Sequence, residues 1–146
     1  MIIGTTGAVV GEISEIWVHP NAEKIWLSHV RVDDTHDVVQ IVFGGVRMLS
    51  PGDLVPVALP GARVLVEGRE KPKKMRNRAY RGERSHGMLC SLRELGWVEA
   101  CVDEVAVLCG LRPGQSLDEV PVPDRRGHVE NWPEVPESPH SLFIHV

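Results

Sequence analysis

Short runs of β-branched and aromatic residues, each bounded by turn residues, dominate the hydrophobic pattern of this chain. Runs of this length and composition, punctuated by glycine, proline, asparagine and aspartate, are typical of strands. Almost no stretch follows the helical period. We therefore predict five or six short strands, drawn from residues 8–13, 26–32, 38–43, 54–59, 86–90 and 104–109.

Individual residues in and between these runs refine the predicted sheet. The polar stretch Asp33–Asp37 suits a hairpin connection, so the strands on either side of it should pair antiparallel. Gly11 indicates a bulge or a close backbone approach. Pro56 has no amide hydrogen, so we expect it to confine its strand to an edge or a bulge.

One short helix is predicted directly after the strand at 86–90. Ser91 and Glu94 have the spacing of a capping box, in which each side chain binds the other residue's backbone amide. Gly96 supplies a stop, so the helix should be about one turn long. Short strands with so little helix indicate a small all-β barrel, in which closure removes the exposed sheet edges.

The composition of the chain changes near residue 120. A chain of 146 residues can bury one ordinary core, so we expect a single domain over 1–120. From residue 121 onward five prolines lie in 26 residues, among acidic side chains, which predicts a semi-rigid proline-rich tail over 121–146. Its apolar end, 141–146, should dock on its own barrel or on a partner's sheet edge.

Signals for membranes, secretion and disulfides are missing from the sequence. No apolar run approaches the roughly 20 residues that a membrane helix needs. The N-terminus lacks the basic start and long apolar centre of a signal peptide, so we expect a cytoplasmic protein with no membrane partner. Three cysteines without a CxxC pair argue against a disulfide framework and against a zinc knuckle, so reduced thiols are expected.

Charge is strongly segregated along the chain. Residues 63–84 contain nine Lys or Arg against three acids, a net charge of +6, although the whole chain carries −4. A local anion-binding face explains this segregation, and nucleic-acid backbones suit it because each neutralised phosphate releases a counterion. Charge alone leaves a solvated basic loop as the alternative. We predict an extended or looped arm here, leading into the strand at 86–90.

The sequence contains no recognisable catalytic motif. None of its seven histidines stands in a metal-binding or nucleophile-activating pattern, and the carboxylates form no paired motif. A phosphate-binding loop and a dinucleotide fingerprint are also missing. We therefore expect no enzymatic activity, no cofactor and no metal site.

Several motifs, in matching order, resemble the tRNA-binding domain family. They are His-Pro-Asn-Ala-Glu-Lys at 19–24, Gln-Ile-Val-Phe-Gly-Gly at 40–45, Val-Pro-Val-Ala-Leu-Pro-Gly-Ala at 55–62, Arg-Gly at 81–82, Ser-His-Gly-Met-Leu-Cys-Ser at 85–91 and Glu-Leu-Gly at 94–96. The resemblance covers about residues 8–117. It is greatest for the domain near the N-terminus of the bacterial phenylalanyl-tRNA synthetase β subunit. The family also includes an appendage of methionyl-tRNA synthetases and stand-alone tRNA-binding proteins.

The resemblance implies an OB-fold, a five-stranded Greek-key barrel that here has short helical turns and binds the folded shape of tRNA. The candidate phosphate contacts, which we call the basic set, are Lys71, Lys73, Lys74, Arg76, Arg78, Arg81 and Arg84. Arg47 stands where relatives have an asparagine, which replaces an amide by a further cation. Ser85, Met88 and Ser91 match the family signature and are candidate nucleotide contacts, although helix capping explains Ser91 and core packing explains Met88 equally well.

Together these features predict a non-catalytic, stand-alone tRNA-binding protein that acts in trans on tRNA used by another protein, such as an aminoacyl-tRNA-using enzyme. Stand-alone relatives commonly form two-fold dimers, so we expect a homodimer. The alternative is a protein- or peptide-binding module like an export chaperone that shares this fold.

Overall fold

The computed structural model describes residues 5–35, 37–44, 49–66, 70–99 and 104–133. Over these residues the chain is mostly β-structure. The strands are β1 Val9–Val18, β2 Ile25–Arg31, β3 Val38–Gly44, β4 Leu54–Ala58, β5 Arg63–Val64, β6 Lys73–Lys74, β7 Arg78–Tyr80, β8 Glu83–Ser85 and β9 Met88–Leu89. The helix α1 spans Leu92–Leu95, and two 3₁₀ segments span Leu117–Glu119 and Val122–His128. No helix in the described part of the chain is long and apolar enough to cross a membrane.

Five strands form one antiparallel sheet in the order β3-β2-β1-β4-β9. The long strand β1 pairs with β4 through its first half and with β2 beyond it, and the register shifts between Ile13 and Glu15. A Cβ at Gly11 would lie 2.5 Å from Val30 Cγ1 and 2.6 Å from Val57 Cγ2, so side chains approach this glycine closely and not the backbone that the sequence predicts. The glycine lets side chains of β2 and β4 meet beneath β1.

The sheet closes into a barrel where β3 meets the corner between β8 and β9. Ser85 Oγ accepts a hydrogen bond from Val42 N (2.9 Å) and donates one to Gly87 O (2.8 Å). Beside it, His86 N donates to Gln40 O (2.8 Å). These contacts join the two ends of the sheet and complete the strand order of an OB-fold, so the predicted all-β, five-stranded fold is confirmed.

Two apolar clusters stabilise the barrel. One joins all five strands of the main sheet through Ile13, Val30, Ile41, Val57 and Leu89. The other packs residues of β1 and β4 against the helix and the later loops, and it includes Val10, Ala58, Cys90, Leu92 and Leu117. Burial raises the pKa of the Cys90 thiol, so this cysteine stays protonated and serves the core as a small apolar side chain.

The predicted capped helix and the predicted hairpin between β2 and β3 are confirmed. In α1, Ser91 Oγ accepts from Glu94 N (3.1 Å) and Glu94 Oε1 accepts from Ser91 N (2.8 Å), as a capping box requires. Gly96 ends the helix in the left-handed conformation, with φ of 79°. In the hairpin between β2 and β3, hydrogen bonds from the Thr35 side chain and backbone to Asp33 hold the pKa of that carboxyl below its usual value.

The prediction that Pro56 confines its strand to an edge or a bulge is wrong, because β4 pairs with β1 on one side and with β9 on the other. Cys90 N donates to Pro56 O (3.0 Å), but the proline has no amide hydrogen to donate to Cys90 O. Cys90 O accepts instead from Ala106 N (3.1 Å). A third segment therefore supplies the hydrogen bond that the proline cannot make.

The predicted strand at 104–109 is also wrong. Val105 and Leu108 form only isolated bridges, to Ser91 and to Leu54 and Val129. Val107 N is bound by the side chain of Asn131, through Oδ1 (2.8 Å), rather than by a neighbouring strand. The segment is apolar because it is buried, not because it continues the sheet.

Residues 121–133 pack on the barrel and do not form a free linker. Val129 is buried, and the Asn131 side chain also donates to Val105 O (2.9 Å). Arg125 lies over the Trp97 ring, with its guanidinium carbon 5.1 Å from the ring centroid. The division at residue 120 stays a prediction, and the apolar end at 141–146 lies outside the described residues.

Candidate nucleic-acid interface

The basic segment folds into two consecutive hairpins, β5–β6 and β7–β8, where the sequence predicted an extended or looped arm. The strands are two or three residues long. Such strands are too short for hydrophobic alternation to reveal them, because alternation needs at least four residues. The run predicted at 86–90 is likewise interrupted at Gly87, where the backbone adopts a φ of 132°.

Hairpin β5–β6 presents two cations side by side to solvent. Val64 pairs with Lys73, and the valine side chain is fully buried. Alternation along the strands then turns the other pair, Arg63 and Lys74, outward, and both side chains are exposed. Like charges directly opposite each other destabilise a sheet, so this pair suits a surface that binds an anion. Arg63 contributes to the net charge of the segment but is not among the contacts that the sequence predicts, because only the strand pairing places it beside Lys74.

Replacing Lys74 by Glu should raise stability and weaken RNA binding at the same time. The new carboxylate would lie opposite Arg63, and a cross-strand ion pair of this kind contributes about 0.2–1 kcal/mol. Urea denaturation measures the first effect, and a tRNA titration measures the second. Lys74→Gln removes the cation without adding an acid and should fall between the two proteins in both measurements. Unchanged tRNA affinity in Lys74→Glu would remove this pair from the interface.

Hairpin β7–β8 carries cations at its tip and on its strands. Its two turn residues, Arg81 and Gly82, have φ of 50° and 90°, the backbone geometry of a two-residue type I′ turn. Arg84 lies opposite Ala79, while Arg78 lies opposite the buried Ser85. The arginines therefore occupy the tip and both faces of the hairpin, and all three are exposed.

Hydrogen bonds fasten this hairpin to the barrel on two sides. The buried imidazole of His19 donates from Nε2 to Tyr80 O (2.7 Å), while its Nδ1 accepts from Asn21 N (2.9 Å). This pattern requires the neutral ring with its proton on Nε2. From β3, the Gln40 side chain donates to Arg84 O (2.9 Å). The backbone that carries the arginines is thus held in one orientation.

The predicted contact residues differ in their exposure to solvent. Exposed residues of the basic set are Lys71, Lys74, Arg76, Arg78, Arg81 and Arg84, while Lys73 is half-buried. Arg47 lies outside the described residues. The hydroxyls of Ser85 and Ser91 are buried and bonded within the domain, to Val42 N and Gly87 O and to Glu94 N. We therefore assign both serines a structural role and remove them from the proposed contacts.

Met88 is half-buried in a shallow apolar cleft of about 340 Å³. The cleft is also lined by Phe43 and Tyr80, and the tyrosine is 39% exposed. Because Tyr80 belongs to the same hairpin as the arginines, the cleft adjoins the cationic surface. An aromatic ring at such an edge can stack on an unpaired base, whereas phosphate contacts fall to the cations.

No cluster of three or more His, Cys, Asp or Glu side chains suited to a metal ion occurs among the residues that the structure describes. The exposed side chains of the two hairpins present guanidinium and ammonium groups.

Comparison with known proteins gives a consistent result. The profile of the family described as "Putative tRNA binding domain" matches residues 8–115. The chain is 44% identical over 93 residues to the phenylalanine–tRNA ligase beta subunit of Halalkalibacterium halodurans, covering 64% of this chain and 11% of the relative. It is 38% identical over 120 residues to the same subunit of Symbiobacterium thermophilum, covering 80% of this chain and 13% of the relative. The chain thus spans only a small part of the curated relatives it matches.

A solved structure supports the fold. The crystal structure of the C-terminal domain of Plasmodium vivax p43 superposes with a TM-score of 0.52 at 17% sequence identity. The match covers 95% of this chain and 74% of the other. At this identity the likeness supports the shared architecture alone.

Proposed function

Because this chain belongs to the tRNA-binding domain family, we propose that it binds folded tRNA through hairpins β5–β6 and β7–β8. The observation that carries this proposal is the placement of the basic set. Six of its seven residues are exposed, on or next to two short hairpins of an otherwise acidic protein. Structured RNA is recognised mainly through its backbone and shape, and such a cationic surface supplies backbone contacts.

The hairpins supply affinity more than sequence preference. Arginines such as Arg78 and Arg84 can pair with a phosphate through two parallel hydrogen bonds, while Lys74 acts as a point charge. Contacts of this type fix the position of the RNA but carry no sequence information. Any preference for an unpaired base then comes from the cleft beside Tyr80 and Met88.

We propose further that the module is non-catalytic and acts in trans, in the cytoplasm, on tRNA that an aminoacyl-tRNA-using enzyme handles. The relatives support the enzyme context, since their names identify them as subunits of a phenylalanine–tRNA ligase. We also propose a two-fold homodimer, because cyclic dimers are the commonest assembly and two copies would present a continuous surface.

A simple test is to purify the protein in low salt and compare nucleic-acid and protein absorbance before and after a salt wash. We expect tRNA to be retained at about 50 mM salt and to be released at about 200 mM. Failure to bind purified tRNA, together with salt-insensitive binding of apolar peptides, would contradict the proposal and favour a polypeptide ligand.

A further inference from the structure

The last described segment of the chain runs toward the shallow apolar cleft of about 340 Å³. Val129 forms an antiparallel bridge with Leu108. Further along, Asn131 Nδ2 donates to Val105 O (2.9 Å). Val105 is itself one of the residues that line the cleft. The segment therefore reaches the rim of the cleft two residues before the last described residue, Pro133.

The lining of this cleft is mainly apolar. Phe43, Met88 and Leu89 contribute to it, and Tyr80 lines it from hairpin β7–β8. Of the aromatic side chains that the structure describes, only Tyr80 is exposed. Ligand pockets range from about 300 to 1,000 Å³, so a cleft of this size suits a few apolar side chains of a peptide.

A strand edge borders the cleft. The amide of Val42 in β3 donates to Ser85 Oγ at the corner between β8 and β9, and β3 continues for two more residues to Gly44. Backbone amides of alternate residues in a strand point the same way, so Gly44, which also lines the cleft, directs its amide toward it. An extended peptide can add to such an edge through main-chain hydrogen bonds.

The residues that follow Pro133 have the chemistry that this surface accepts. Segment 134–146 contains two carboxylates, Glu134 and Glu137, and no Lys or Arg, while its part 141–146 is apolar and rich in strand-forming residues. Thirteen residues span at most about 45 Å, enough to reach both the cleft and the hairpins.

Proline spacing supports the same arrangement. Pro133, Pro136 and Pro139 recur every third residue, which is the period of polyproline II. In that conformation Glu134 and Glu137 fall on one face, about 9 Å apart. A stiff spacer of this kind costs less entropy to order than a flexible one.

We propose that segment 134–146 docks in cis on this cleft and competes there with RNA. Its apolar residues 142–144 occupy the cleft beside the edge of β3, while Glu134 and Glu137 face the cations of hairpin β7–β8. The competition rests on the proposed tRNA binding, whereas the docking does not. Because the contact is intramolecular, a weak interaction is enough to fill the cleft until RNA displaces the segment.

Methionine methyl resonances in the full chain report the docking without RNA. Phe143→Ser removes an aromatic ring from the cleft, so we expect the Met88 methyl resonance to shift through the lost ring current. The resonance of Met75, which is buried in the core, should stay in place. The matched control is Val122→Ser, which removes an exposed apolar side chain outside the cleft and should move neither resonance. Met88→Leu identifies the resonance by its loss.

A tRNA titration measures the competition. A docked fraction of about nine-tenths weakens apparent binding about tenfold, so Phe143→Ser should bind tRNA up to about tenfold more tightly than the wild type at equal salt. Val122→Ser should match the wild type.

The contribution of the two carboxylates is tested by Glu134→Gln with Glu137→Gln. Loss of two ion pairs with the hairpin should tighten tRNA binding about threefold. Glu119→Gln with Asp124→Asn makes the same change in net charge at two exposed acids outside the segment and should have a smaller effect.

The outcomes distinguish the docking from the proposed function. A Met88 resonance that Phe143→Ser leaves unchanged overturns the docking, whether or not the protein binds tRNA. A shifted resonance in a protein that binds no tRNA supports the docking and overturns the proposed function. A shifted resonance with equal tRNA affinity in Phe143→Ser and Val122→Ser overturns the competition. A shift that vanishes on dilution places the segment of a second copy in the cleft and overturns docking in cis.

Discussion

Gly87→Ala is expected to destabilise the domain by about 3–5 kcal/mol, a large share of the stability of a small domain. A Cβ at this position would lie 2.4 Å from Ala58 O and 3.2 Å from Leu59 Cα, so backbone atoms of β4 would have to move. The φ of 132° adds a second cost, because residues other than glycine rarely adopt this backbone conformation. Urea denaturation followed by fluorescence measures the loss.

The matched control for this prediction is Gly52→Ala. Gly52 also has a positive φ, of 95°, but a Cβ there would meet nothing within 4 Å. Its cost should be limited to backbone strain, about 1–2 kcal/mol. If both variants lose the same stability, β4 does not approach Gly87 closely and the corner between β8 and β9 is placed differently. Since this corner orients hairpin β7–β8, the result bears on the interface as well as on the fold.

The second large effect is expected from replacing Lys73, Lys74, Arg76 and Arg78 together by alanine. If each cation meets a phosphate, the salt slope of tRNA binding falls by up to about 4, and by about 3 if the half-buried Lys73 makes no contact. At 0.1 M salt this amounts to roughly a thousandfold to ten-thousandfold loss of affinity. Fluorescence anisotropy with labelled tRNA at several salt concentrations measures both quantities.

A control is needed because the quadruple variant also makes the whole protein more acidic. Arg112→Ala with Arg126→Ala removes two exposed cations that belong to neither hairpin. If overall charge governed binding, this pair would lower the slope by about half as much as the quadruple change. We expect the double variant to have little effect on the salt slope. If the quadruple variant retains its affinity for tRNA, these hairpins are not the binding surface.

Local sequence signals located the helix and the principal turns correctly. The Ser91–Glu94 capping box and its Gly96 stop are complete within six residues, so no tertiary information was needed to find them. The same holds for the Asp33–Asp37 hairpin, whose side chains bind their own backbone. The family motifs also identify the five-stranded fold, because the residues that carry them include most of β3 and β4, all of β9 and several turns.

Pairings between distant segments were not predictable from local pattern. The missing amide hydrogen of Pro56 is visible in the sequence and predicts an edge, whereas Ala106, which compensates for it, lies 50 residues away. Ser85 was predicted to contact a nucleotide because it belongs to the family signature, yet its hydroxyl closes the barrel against Val42. In both cases the sequence shows the chemistry of the residue but not the partner that it meets in the fold.

The candidate site likewise combines features that the sequence shows with features that only the fold shows. Net charge identified the segment that carries the basic set, but its strand pairing decides that Arg63 stands beside Lys74 and that Lys73 turns inward. The positive φ of Lys24, 58°, likewise has no sequence signature, since a lysine in a turn is ordinary. The backbone conformation of the turn between β1 and β2 therefore becomes visible only in three dimensions.

The central claim is that this domain recognises folded tRNA through backbone contacts on a fixed cationic surface. The most direct measurement is a titration of the wild-type protein with tRNA and with an unstructured RNA of equal length, each at two salt concentrations. We predict tighter binding to tRNA at both, with a log–log salt slope of up to about −5 for the six exposed cations of the basic set. Equal affinity for the two RNAs, or binding to tRNA that salt does not weaken, would contradict the claim.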